Sequence, residues 1–119
     1  MQDTVFIRNL EVLTTIGVYE FERAQPQRVI MDIEVPTDLV AAGLNDNLNS
    51  TIDYGAIVSL VENIAQQNNT ELLECFGQRI CDEIFQHFTV DRLTLTLHKP
   101  DIIENVSSVG VVLRRTRPT

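Results

Sequence analysis

Eight arginines but a single lysine, Lys99, make up the basic side chains of this chain. The chemistry follows from that contrast. Arginine stays protonated in proteins, whereas burial can bring a lysine to exchange protons near neutral pH. Lys99 ends the run Leu-Thr-Leu-Thr-Leu-His-Lys, residues 93–99, and is followed by Pro100. A side chain at a strand end beside a stiff loop is placed by a rigid element yet has room for a ligand. Glu22, Tyr54 and Glu74 also fall near expected element boundaries, so the four residues form a candidate proton-transfer site built from loops and helix starts. Each has a plainer reading too. Chance would explain the lone lysine, a solvated acidic loop Glu20 and Glu22, and an exposed or locally satisfied hydroxyl Tyr54. Glu74 would be a first-turn carboxylate, favoured by the helix dipole by about 0.3–1 kcal/mol.

These residues need a scaffold. Residues 5–15 are rich in β-branched and apolar types and are broken by Gly17, which predicts a first strand. A polar loop carrying Glu20, Glu22 and Pro26 leads to residues 29–35, where Val29, Met31, Ile33 and Val35 share one face of a second strand. Pro36 closes it, and residues 41–50 form a connector dense in Gly, Asn and Asp. Ser50 and Asp53 have capping-box spacing before a helix whose Ile57, Leu60, Val61 and Ile64 face the core. Thr70 is the expected N-cap of a second helix over residues 72–87, with Leu73, Phe76, Ile80, Ile84 and Phe88 as its buried stripe. Strands at 93–99 and 109–115 complete the order ββααββ. The expectation is an α+β fold: an antiparallel four-stranded sheet with two helices on one face. Its open edges favour a homo-oligomer.

Composition bounds the function classes. At 119 residues the chain fits one domain. A net charge of -8, from 17 acidic and 9 basic residues, argues against nucleic acid, whose binding needs clustered cations; the dispersed acidity reads as solubility. Arg114, Arg115 and Arg117 read as a solvated edge. No apolar run approaches a membrane span, and the start Met-Gln-Asp-Thr lacks the basic and apolar regions of a signal peptide, so a cytoplasmic location is expected. Cys75 and Cys81, six apart on one helix and about 9 Å apart along its axis, cannot bridge each other. They are expected as half-buried structural thiols. No Cys/His cluster has metal-ligand spacing.

The segments Ile16-Gly-Val-Tyr-Glu-Phe-Glu22, Asp46-Asn47, Thr51-Ile-Asp-Tyr-Gly55, Leu72-Leu-Glu74, Lys99-Pro100 and Val109-Gly-Val111, taken in order along nearly the whole chain, resemble the bacterial dihydroneopterin aldolase family. The resemblance implies the tunnelling fold, in which four ββααββ subunits close a sixteen-stranded β-barrel ring and two rings stack as an octamer. It also implies a pterin substrate and roles by motif. Glu74 would anchor the pterin through a charge-assisted pairing with its 2-amino group and ring N–H. Leu73 and Ile52 would offer backbone groups to the ring edges, Lys99 would be the general acid/base, and Tyr54 would come from a neighbouring subunit. Glu22 would sit near the trihydroxypropyl tail. The implied reaction is retro-aldol cleavage of 7,8-dihydroneopterin, whose C6=N5 imine accepts the electrons, with no Schiff base, metal or cofactor. Epimerisation at C2′ is a side activity in this family. Two alternatives are an epimerase of dihydroneopterin triphosphate, for which Lys99 and Arg23 would be the cations at hand, and a non-catalytic pterin-binding ring. The loop Asp-Ile-Ile-Glu-Asn-Val, residues 101–106, departs from the small residues of many relatives.

Overall fold

The computed structural model describes residues 3–119. Its elements are β1 (Asp3–Ile16), α1 (Glu20–Arg23), β2 (Gln27–Thr37), α2 (Val40–Asn45), a 3-10 turn (Leu48–Ser50), α3 (Tyr54–Gln67), β3 (Asn69–Thr70), α4 (Leu73–His87), β4 (Arg92–Pro100) and β5 (Ser108–Thr116). The class is α+β. The sheet corrects the expectation of four antiparallel strands: it has five, in the order β3-β1-β2-β4-β5, and β3 runs parallel to β1. Asn68 explains the extra strand. Its Nδ2 donates to the Thr15 carbonyl and to Thr70 Oγ1, both at 3.1 Å, which draws a polar interruption alongside the end of β1.

β1 changes phase midway. Val5 and Ile7 turn inward, and beyond the irregularity between Ile7 and Leu10 the inward set becomes Leu10, Val12, Thr14 and Ile16. Asn9 absorbs the extra residue at φ 58 and donates its N–H to Asp32 Oδ1 at 2.7 Å; Asn is among the few residues that tolerate that region. β2 and β4 alternate as their sequences dictate, with Val29, Met31, Ile33 and Val35 facing Leu93, Leu95 and Leu97 in the core.

The long helices cover one face, α3 against β1 and α4 against β4 and β5. Ile57, Val61 and Ile64 are buried from α3, with Leu60 partly so; from α4 it is Leu73, Phe76, Ile80 and Ile84, with Phe88 partly buried just past its end. α4 lies so close to the sheet that a Cβ on Gly77 would stand 2.6 Å from Leu113 Cδ1 and 2.8 Å from Leu97 Cδ1. Both expected caps are corrected. Asp53 is itself the N-cap of α3, accepting from the Ala56 N–H at 3.1 Å, so no box with Ser50 forms; Thr70 belongs to β3, and the N-cap of α4 is Leu72. The connector at 41–50 is also more ordered than expected, because α2 and the 3-10 turn occupy most of it.

Arg117 is a strut rather than a solvated edge. Its guanidinium donates to the carbonyls of Phe85 (2.8 Å), Phe88 (2.5 Å) and Val90 (2.8 Å), at and just beyond the end of α4, where carbonyls lack the full set of helical donors. Cys75 is exposed and Cys81 buried, so the thiols are not two half-buried equals. Burial pushes the Cys81 thiol up to about 11, against the opposing charge of Arg115. No helix among the described residues is long and apolar enough to cross a membrane. Nor does any group of three His, Cys, Asp or Glu among them have metal-binding proximity.

Candidate active site

The site begins where β1 ends. Gly17 has φ +137, and a Cβ there would lie 2.4 Å from Glu22 Cβ and 2.8 Å from its carboxyl carbon. Glycine is needed for both reasons: no other residue adopts that backbone readily, and the space belongs to Glu22. The chain then turns into α1, four residues long and too short to be stable alone. Neighbours hold it. Gln27 Nε2 donates to the Glu22 carbonyl at 3.0 Å, and Arg23 donates to the carbonyls of Gly17 (3.1 Å) and Thr70 (3.2 Å) and to Asn69 Oδ1. Glu22, expected in a loop, is thereby tucked inward with its side chain 3% exposed.

Lys99 reaches it from the end of β4. Its Nζ donates to Glu22 Oε2 at 2.6 Å, and its own side chain is 12% exposed. Burial by itself raises the Glu22 carboxyl. The hydrogen bond from Lys99, the N–H of Tyr19, the charge on Lys99 and the N–H of Val18 together outweigh it and hold the group below its ordinary 4.5. Glu22 is therefore a carboxylate across the neutral range. β4 continues one residue beyond its expected end, to Pro100, which pairs with Ser108. The β2 ladder stops at His98, so Pro100 lies past the point where a missing N–H would interrupt it. Asp101, at φ 58, then turns the chain away.

The pair forms one wall of a cleft of about 330 Å³. Leu73 and Glu74 line the cleft from the first turn of α4. Thus Glu22, Leu73, Glu74 and Lys99 meet within one chain. Tyr54 and Ile52 do not line this cleft. Tyr54, 65% exposed, opens α3, whose other end runs through β3 into the start of α4; at 1.5 Å per residue that is about 20 Å away. Ile52, 8% exposed, lies at the same remote end and lines a separate cavity with Thr89 and Val90. Sequence reasoning missed Val18 and Tyr19 as cleft residues, although the Gly17–Glu22 motif contained them. It also missed Ile102 and Ile103, whose apolar character among polar loop residues was the available signal. Arg23, entertained as a phosphate ligand, has its guanidinium committed to three acceptors outside the cleft lining.

Taken together the cleft offers a largely buried lysine–carboxylate pair next to an exposed carboxylate and several apolar side chains. That arrangement can hold a flat, hydrogen-bonding ring and move protons at its substituent.

Known proteins resemble this chain over nearly its whole length. The curated dihydroneopterin aldolase of Escherichia coli (strain K12) is 29% identical over 113 residues, spanning 95% of this chain and 93% of that protein. A Vibrio cholerae structure assigned to dihydroneopterin aldolase (FolB) superposes with a TM-score of 0.93 at 34% identity, covering 98% of this chain and 99% of that one. The E. coli dihydroneopterin aldolase in complex with neopterin gives a TM-score of 0.90 at 29% identity, covering 95% and 98%. The family model described as FolB, dihydroneopterin aldolase, matches residues 5–114, and the chain belongs to that family.

Proposed function

We propose that this chain is a 7,8-dihydroneopterin aldolase of folate biosynthesis, a lyase that releases 6-hydroxymethyl-7,8-dihydropterin and glycolaldehyde. The observation that carries the reading is the Lys99–Glu22 pair at 2.6 Å in one cleft with Glu74. Glu74 anchors the pterin by accepting from its 2-amino group and ring N–H, and the Leu73 backbone meets the ring edge. That leaves the trihydroxypropyl tail toward Lys99 and Glu22. Loss of the 2′-hydroxyl proton breaks the C1′–C2′ bond and expels glycolaldehyde, while the electron pair passes through C6=N5 into an enamine. A proton returned to C1′ restores the imine, so the reaction consumes no net proton. Lys99 exchanges these protons, and Glu22 holds its amino group at the tail. The pterin itself stores the electrons, so the chemistry calls for neither a Schiff base nor a metal.

Tyr54 and Ile52 enter from a neighbouring subunit. Their position about one helix length from Glu74 supports this, because a second copy can present its remote end to the cleft where the same chain cannot. We read the chain as a single domain that closes with three others into a β-barrel ring, two rings stacking as an octamer in the cytoplasm. Return of glycolaldehyde before release would give 2′-epimer as a minor product. The triphosphate epimerase reading is weaker, since Arg23 is committed elsewhere and Glu22, Glu71 and Glu74 all line the cleft. Incubation with 7,8-dihydroneopterin tests the proposal: stoichiometric glycolaldehyde is expected, pterin binding with no cleavage would mean a non-catalytic ring, and monapterin without cleavage would mean an epimerase.

A further inference from the structure

We infer that Arg23 is a positioning residue that fixes the span between the two ends of the cleft, the Lys99–Glu22 pair and the Glu74 carboxylate; this rests on the aldolase reading. Glu22 and Glu74 sit on separate elements, α1 and the first turn of α4. Glu22 belongs to α1, a four-residue helix, and Glu74 follows four residues after Thr70, the last residue of the two-residue strand β3. α4 is a long helix packed on the sheet and holds its own place, whereas α1 has too few internal hydrogen bonds to do so and must be tied to its neighbours. Arg23 joins them. One guanidinium nitrogen donates to Gly17 O at 3.1 Å and to Thr70 O at 3.2 Å, and the other donates to Asn69 Oδ1. The Gly17 N–H also donates to Thr70 O, at 3.3 Å.

Arg23 therefore links a position next to Glu22 to Thr70, four residues before Glu74. Its planar fork serves three acceptors at once, which a lysine ammonium on a flexible stem does with less preorganisation. A substrate gripped at Glu74 must present its tail at Lys99, and catalysis is sensitive to errors of about 1 Å between such points. Arg23 touches neither substrate end, so it acts through Glu22.

A double-mutant cycle on the full chain tests this, with Arg23→Ala and Glu22→Gln made singly and together. Arg23→Ala should lower kcat on 7,8-dihydroneopterin by about tenfold, in line with the cost of misplacing a reacting group. In the Glu22→Gln background the same change should cost less than about twofold, because the geometry it protects is already unused. Methylguanidinium should restore part of kcat to the Arg23→Ala protein. Equal losses in both backgrounds, or unchanged kcat in folded Arg23→Ala, overturn the inference. If Arg23→Ala does not fold, the same cycle with Arg23→Gln decides by the same ratios. An active wild type with a failed cycle overturns this inference alone, whereas a wild type inactive on dihydroneopterin overturns the aldolase reading and this inference with it.

Discussion

Replacing Lys99 by Met keeps most of the apolar stem and removes the charge that Glu22 was folded around. With 3% of the Glu22 side chain and 12% of the Lys99 side chain exposed, solvent does little to screen what is lost. Breaking a buried pair in this way costs about 3–5 kcal/mol, because an uncompensated charge remains. The pH dependence identifies the cause. In the wild type the folded Glu22 carboxyl lies below 4.5, so its contribution is complete above the unfolded value and fades as pH falls through the folded one. In Lys99→Met burial is left as the main influence, which raises the carboxyl, so the folded state takes up a proton first and the variant recovers stability as pH falls. The two stabilities should therefore converge in acid. Urea unfolding at fixed protein concentration, at pH 7.5 and again near pH 5, measures the gap. A gap below about 1 kcal/mol at pH 7.5, unchanged near pH 5, would refute the claim that this pair is buried and mutually dependent. Turnover of dihydroneopterin should fall about 10²-fold or more in the same protein.

Three further outcomes follow from the geometry. Glu74→Ala should weaken neopterin binding by about tenfold or more in titration calorimetry, since it removes a charge-assisted pairing of about 1.5–3 kcal/mol, while the melting temperature holds. Gly17→Ala places a Cβ 2.4 Å from Glu22 Cβ at φ +137; about 1–3 kcal/mol of backbone strain should lower the melting temperature, and displacement of Glu22 should lower turnover. Arg117→Ala removes a donor from three carbonyls at and beyond the end of α4 and should cost about 1–3 kcal/mol in denaturant unfolding with KM unchanged.

Alternation and helical periodicity carried the parts of the fold where one face is buried. Leu93, Leu95 and Leu97, the β2 set from Val29 to Val35, and the α4 stripe through Ile84 all lie inside as their spacing required. What escaped was decided by single polar contacts. The bulge at Asn9, the strand drawn in by Asn68 and the cap supplied by Asp53 each depend on one side chain choosing a backbone partner, and composition does not rank such choices. Arg117 shows the same limit, because a terminal arginine looks alike whether it meets water or three carbonyls. At the site, motif order singled out Glu22, Leu73, Glu74 and Lys99, which meet. It could not reveal that Tyr54 and Ile52 lie a helix away, since that separation is set by the direction of α3.

Glu22 and Lys99 are 77 positions apart, and every other element except β5 lies before or between them. During synthesis Glu22 leaves the ribosome long before its counter-charge exists. Until β4 emerges, α1 can bury that carboxyl only by protonating it, so the N-terminal hairpin must wait with this corner open. The cleft is thus among the last features to form, and appearance of the Lys99–Glu22 contact can serve as a marker that β4 has joined the fold.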